Sequence, residues 1–253
     1  MASPDLSHPT GPLPDLARSD AGTALYSTWN VGTPERQRAT LDAITATWHA
    51  RPWPSPDLLS YNVYAGTDGD TLMHYSQWTG AEAYHAFVSE HRAERVSDID
   101  RAVPDIQRNG VGEFRHYRRF SGTDEGTAGA AAADPGFIVV LDIDFDAPEP
   151  ALRRTWIDIV IEGLNAEPHP GLISADFHLN IDGRAHLGSD RARVLNVARW
   201  TDEAAYEAAI DTGGRSADTA AVDRLRDLPG FAGSRSTRYR FARGFTPEAV
   251  EQR

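Results

Sequence analysis

Residues 75–87 read YSQWTGAEAYHAF, and residues 197–209 read VARWTDEAAYEAA, 122 positions further on. Each stretch ends an apolar–polar alternation on Trp-Thr and then opens a helical pattern with Ala-Tyr at matching places. The chain of 253 residues therefore carries the same strand-to-helix junction twice.

Working outward from the two copies, the same order of signals surrounds each. In the first half LYSTWNV (25–31) alternates as a strand, and Thr33-Pro34-Glu35 reads as an N-cap, a proline at N1 and an acid in the first turn. The helix that follows places Leu41, Ile44 and Trp48 on one face, and Pro52, Pro54 and Pro56 stop it. LLSYNVYAG (58–66) and TLMHYSQW (71–78) are strands joined by an Asp68-Gly69 turn. Thr79-Gly80-Ala81-Glu82 has the pattern of a capping box, and EFRHYRRF (113–120) closes the half as a strand. In the second half FIVVLDIDF (137–145), Pro148-Glu149, GLISADFHLN (171–180), RVLNVARW (193–200) and STRYRFA (236–242) fall in the same order. The second hairpin is about eight residues longer, because the offset between copies grows from 114 to 122.

Each half thus predicts β-α-β-β-α-β, a ferredoxin-like unit. The repeat length far exceeds the about 20–50 residues of a solenoid, so it marks a duplicated domain. The fold class expected is α+β, two ferredoxin-like repeats packed as a barrel within one chain; side-by-side sheets with separate cores are the alternative. The expected organisation is an extended arm over 1–22, a first repeat over 23–120, a linker over 121–136, a second repeat over 137–243 and a tail over 244–253.

Composition narrows the classes of function. A formal charge of −12 argues against nucleic acid and anionic membrane surfaces as partners. With no cysteine, thiolate nucleophiles, disulfides and cysteine-ligated metals are excluded. The first twenty residues lack the basic and apolar regions of a signal peptide, so a cytoplasmic protein is expected. There is no P-loop, no G-x-S-x-G and no dinucleotide-binding glycine cluster. His169, His178 and His186 do not form a metal-ligand pattern, and no metal is expected.

Trp200-Thr201-Asp202-Glu203-Ala204-Ala205-Tyr206 after the third strand, Pro170-Gly171-Leu172 before the second, and the unit order resemble the antibiotic biosynthesis monooxygenase family of the dimeric α+β barrel type. The first half departs from that pattern at Gly80 and Asp57, where an acid and a glycine are typical. The tandem layout, with Thr-Pro-Glu-Arg after the first strand, is similar to anthrone oxygenases and angucyclinone ring-opening oxygenases. That resemblance implies an oxygenase of aromatic polyketide tailoring, with O2 as cosubstrate and no tightly bound group. The ring-opening likeness further implies reduced flavin (FAD or FMN) from a separate reductase, although the sequence carries no flavin motif. A polyketide cyclase on the same fold and a non-catalytic protein holding an aromatic ligand are the alternatives. A monomer and a homodimer are both compatible with a duplicated chain.

The two halves differ in character. Where the first has Trp29, Asn30, Trp48 and Tyr75, the second has Ile143, Asp144, Glu162 and Val197. A pocket for a planar phenol needs flat apolar walls and a few placed donors, so the first half is the expected site. Its catalytic candidates are His74, Asn62, Tyr64 and Trp78, with Trp29, Asn30, Trp48, Trp53, Tyr61 and Ser76 as substrate-binding walls. Strand alternation puts His74, Ser76 and Trp78 on one face, and sets Tyr61 opposite Asn62 and Tyr64. In the second half Asp142, Asp144, Asp176, His178 and Asn180 form a polar face. Its expected role is structural, hydrogen bonding between the repeats or facing solvent, and a second acid–base site is the alternative. The strand-four arginines 115, 118, 119, 238 and 240 are expected to pair with the acids or sit at the edge, the alternative being that one clamps a substrate phenolate.

Overall fold

The computed structural model describes residues 9–122, 137–146, 149–181, 192–216, 224–225 and 228–247. From residue 123 on, the expected linker lies outside these residues, as do Pro148, the turn of the longer hairpin and both chain ends.

The elements run β1 (Thr23–Asn30), α1 (Pro34–His49), β2 (Leu58–Gly66), β3 (Thr71–Trp78), α2 (Ala81–Glu90), α3 (Arg92–Ala102), β4 (Gln107–Ser121), β5 (Phe137–Phe145), α4 (Pro150–Ala166), β6 (Leu172–Asn180), β7 (Ala192–Trp200), α5 (Glu203–Ser216) and β8 (Phe231–Phe245). The strands are hydrogen-bonded in the order β1-β3-β2-β8-β5-β7-β6-β4, a closed barrel, so the fold class is the α+β barrel of two ferredoxin-like repeats. Two compact units divide it, and neither follows a repeat from end to end. One gathers the described residues up to Arg115 together with those from Tyr239; the other runs from His116 to Arg238.

In the first unit β1 pairs antiparallel with β3 and with the start of β4, and β2 pairs with β3 and with the end of β8. Thr33 caps α1 as expected, its hydroxyl accepting from the Arg36 amide at 3.2 Å. Gln37 then ties the helix to the hairpin, donating to the carbonyls of Gly66 and Thr71 at 3.0 and 2.8 Å. Leu41, Ile44 and Trp48 are buried on one face of α1, against the sheet. The described part of the arm turns at Asp15–Arg18 and at Arg18–Ala21 and is anchored: Thr10 bonds Ala242 and Gly244 through its backbone, and Leu16 is buried. Gly11 makes this possible, since a Cβ there would stand 1.9 Å from the Gly244 carbonyl oxygen.

Three expectations need correction in this unit. The capping box at 79–82 does not form: Thr79 donates its hydroxyl to Asp57 at 2.8 Å, and Gly80 caps α2 with no side-chain bond. Asp57 stands where the second repeat has Gly171, so the carboxylate competes for that hydroxyl. A further helix, α3, follows α2, packs along α1 and buries Arg95 and Ile99, so the unit is richer than β-α-β-β-α-β. The last strands are also longer than read, because both β4 and β8 continue through both units.

The second unit repeats the plan with β5 and β6 flanking β7. Here the helix after β7 does have a side-chain cap, Asp202 accepting from the Ala205 amide at 2.8 Å. Helix α4 starts at Pro150 and not at the expected Pro148-Glu149. Gly171 holds φ +82°, and a Cβ on it would meet that of Ala205 at 2.6 Å. Trp78 and Trp200, the words common to both copies, are buried and pack on Tyr84 and Tyr206 of the helices that follow. The repeated motif is therefore strand-end to helix packing. No helix among the described residues is long and apolar enough to cross a membrane.

Candidate functional site

Within the first unit, one sheet face and helices α1, α2 and α3 enclose a cavity of about 130 Å³. The period of two along β1 and β3 presents Leu25, Ser27 and Trp29 beside His74, Ser76 and Trp78 on that face. Ser27 lies directly opposite His74, and Leu25 opposite Ser76. A bulge between Leu58 and Ser60 shifts the phase of β2 and brings Leu58 and Tyr61 to the same wall. Trp48 closes the side from α1, Tyr84 and Phe87 from α2, and Arg92, Arg95, Val96 and Ile99 from α3. Arg108, Gly110 and Val111 of β4 complete it.

The polar centre is a pair. The Tyr61 hydroxyl stands 2.7 Å from His74 Nδ1. The phenol proton has no other acceptor among the described residues, so it goes to Nδ1 and the imidazole proton sits on Nε2. That Nε2 is buried and meets no partner. The ring lies against Trp29, 4.0 Å between centroids. Burial, seconded by the positive charges of Arg108 and Arg92, lowers the His74 pKa from 6.5 to about 3. His74 is therefore neutral at any ordinary pH, and acts as a hydrogen-bond donor rather than as a base. Burial likewise pushes the Tyr61 phenol above its usual range, against the opposing influence of Trp48 and the same two arginines.

Cations and aromatic faces alternate around the pair. Arg108 lies 4.4 Å over the Trp29 ring and is paired with Asp100 at 2.7 Å. Arg95 lies 5.0 Å over Trp48 and donates to the Pro52 carbonyl at 2.9 Å. Trp48 stacks on Tyr61 at 4.5 Å, extending the flat wall. Among the described residues no Asp or Glu lines the cavity.

Of the residues expected to form the site, His74, Trp78, Trp29, Trp48, Tyr61 and Ser76 come together here. Asn62 and Tyr64 do not, because the alternation of β2 turns them to the other face. Asn62 bonds Ser60 and the Tyr75 carbonyl there, and Tyr64 packs edge-on against Phe241. Asn30 is exposed at the end of β1. Trp53 sits behind Trp48 and donates to the Leu58 carbonyl, without lining the cavity. The sequence reading missed Arg92, Arg95 and Arg108. The first two have a legible signal, since Arg92, Arg95, Val96 and Ile99 fall at i, i+3, i+4 and i+7 of one helix face.

The second unit does not copy this site. Val139, Ile143, Ala175 and Ala198, in the places of Leu25, Trp29, Tyr61 and Ser76, belong to an apolar core. Its polar face is committed to pairs. Asp176 is fully buried and accepts from Arg119 at 2.7 Å and His116 at 3.2 Å, while Arg193 pairs with Asp144 at 3.0 Å and Asp142 at 3.4 Å. Of the strand-four arginines, Arg119 alone takes the expected partner among the pairs described; Arg118 pairs with Asp158, and Arg238 with Glu203 and Glu207. No cluster of three potential metal ligands occurs among the described residues.

The chain matches no family model, and no curated protein sequence matches it. Solved structures share its fold. An anthrone oxidase-like protein matches with a TM-score of 0.68 at 18% identity, over 90% of this chain and 94% of that one. A candidate monooxygenase from Lactobacillus acidophilus NCFM matches with a TM-score of 0.54 at 8% identity, over 89% and 97%. A chlorite dismutase from Candidatus Nitrospira defluvii, solved with imidazole, matches with a TM-score of 0.52 at 10% identity, over 94% and 96%. At these identities the likeness is one of fold.

Proposed function

We propose that this protein is an oxygenase that uses O2 to oxidise an electron-rich aromatic hydroxyl compound, of the anthrone or hydroquinone kind made by polyketide assembly, in the cavity of the first unit. The observation that carries the reading is the Tyr61–His74 pair, set in flat aromatic walls with cations and no carboxylate around it. The names borne by two proteins of the same fold, anthrone oxidase-like and monooxygenase, support the same class of chemistry.

A substrate ring lies among the aromatic side chains of the cavity, and the guanidinium groups favour loss of its hydroxyl proton. Neutral His74 does not take that proton, which leaves to solvent at the mouth. The Nε2–H of His74 then donates to oxygen as negative charge gathers on it, an interaction worth about 3 kcal/mol for a well-aimed donor in a dry site. The phenolate passes one electron to O2, and the resulting superoxide and aryloxyl radical join as a carbon–oxygen bond. The peroxide carbon loses its hydrogen as the O–O bond breaks, giving a carbonyl and water. For an anthrone methylene this balances as CH2 plus O2 to C=O plus H2O, with no outside reductant. Cleavage of a ring needs two more electrons, the kind of chemistry that reduced flavin supplies. No residue of the cavity is assigned to flavin, and no step is derived through it.

The test is O2 uptake with dithranol, an anthrone, above its uncatalysed rate. One O2 consumed per anthrone is expected without flavin. No uptake, with or without reduced flavin and a reductase, sinks the reading; product formed under nitrogen means a cyclase, and binding without turnover a carrier.

A further inference from the structure

We infer that the cavity takes its ligand as an anion: a planar aromatic ring bearing a dissociated oxygen group, paired with Arg92. The inference rests on the cavity of the first unit being the binding site, and narrows the substrate class beyond an aromatic hydroxyl compound.

Charge is the first argument. The chain carries −12 overall, yet among the described residues three arginines and no acid line this cavity. Arg108 is offset by Asp100. The carboxylates of α3 next to Arg95, Glu94 and Asp98, are taken by Arg51, and Arg101 also holds Asp98. Glu113 is buried but pairs with His85. Arg92 makes no hydrogen bond or ion pair among the described residues. The cavity is left with more positive charge than its surroundings cancel, and a low-dielectric recess focuses it.

Unmet hydrogen-bonding capacity is the second, independent argument. His74 Nε2, Arg95 Nε and Arg108 Nε are all buried without a partner. Arg199 Nε and Trp200 Nε1 are orphaned outside the cavity, but three such donors among the residues of one cavity are a concentration that a bound acceptor satisfies. His74 and Arg95 are 5% and 6% exposed, so bulk water does not serve them freely. A neutral amide or alcohol supplies lone pairs but cancels no charge. A carboxylate or phenolate supplies both, and the aromatic side chains that line the cavity supply apolar surroundings for its ring.

The test is equilibrium binding under nitrogen. Titrating the protein into 4-nitrophenol, near the pH of half-ionisation, reads the bound form from the phenolate absorbance band. Benzoate and its neutral counterpart benzamide serve as competitors. Growth of the phenolate band is expected, with benzoate competing and benzamide at least tenfold weaker. Arg92→Gln weakens anion binding about tenfold, the usual worth of one charge-assisted contact, and Arg92→Lys holds most of it. Benzoate bound with nitrophenol excluded assigns the group to a carboxylate, and the reverse assigns it to a phenolate. Neutral forms bound as tightly as anions, or neither anion bound, overturns the inference. A protein that passes these arms yet consumes no O2 fails the oxygenase reading alone, because no arm involves turnover.

Discussion

The phenol of Tyr61 and Nδ1 of His74 lie 2.7 Å apart, with 11° between the ring planes. The contact fixes which imidazole nitrogen carries the proton, and so what His74 offers the cavity. Tyr61→Phe removes that control while keeping the ring that stacks on Trp48. Turnover is expected to fall about tenfold, and stability by about 1 kcal/mol for one lost hydrogen bond. Oxygen uptake and a urea midpoint measure the two. Wild-type turnover in Tyr61→Phe would mean that something else orients His74.

Acid should unfold this protein through its buried histidines. Burial lowers His74 to about 3, and lowers His178, with His116 adding to the effect, to about 4, both from 6.5. In the unfolded chain each takes up a proton below pH 6.5, and in the folded chain neither does until pH 3–4. The unfolded state thus binds more protons in that window, and stability rises with pH across it. Urea midpoints at pH 7 and pH 5 check this, with His74→Gln expected to lose less on acidification than wild type. An equal loss in the variant would show that the buried imidazole is not responsible.

Much of the fold could be read because its strands are short alternations between turn residues. β2, β3 and β5 occupy the stretches expected, and both tryptophan motifs sit where a strand hands over to a helix. The site was half legible for the same reason: His74, Ser76 and Trp78 share a face by alternation alone. Alternation sets Tyr61 opposite Asn62 and Tyr64, but which of those two faces of β2 meets the helices is not legible in the sequence, and the bulge between Leu58 and Ser60 is what brings Leu58 to the same wall as Tyr61. α3 escaped because its buried side includes an arginine, and only Arg95 and Ile99 of it are fully buried. Guanidinium groups that stack on indoles look, in sequence, like any solvated charge.

The two copies of the repeat make separable predictions. His74→Ala is expected to cut turnover at least about tenfold, as loss of an oxyanion donor does. His178 lines no part of the cavity and lies in the second unit. His178→Ala is therefore expected to lower the melting temperature and leave the turnover of folded protein near wild type. Oxygen uptake normalised to folded protein distinguishes them. The opposite pattern would place the chemistry in the second unit.

Two neighbouring arginines of β4 test what burial does to an ion pair. Arg119 holds Asp176, whose side chain is wholly buried, whereas Arg118 holds Asp158, which is 43% exposed. Removing Arg119 leaves a buried carboxylate with His116 and Ser174 as hydrogen-bond partners, so Arg119→Ala is expected to cost about 3 kcal/mol. Removing Arg118 returns Asp158 to water, with the Tyr117 hydroxyl still in reach, and Arg118→Ala is expected to cost less than about 1 kcal/mol. Arg118 and Arg119 themselves, 46% and 32% exposed, differ far less than their partners, so a large difference in urea midpoint reports the partners' burial. Equal costs would mean that Asp176 is held by His116 and Ser174, and that Arg119 contributes no more than a surface charge.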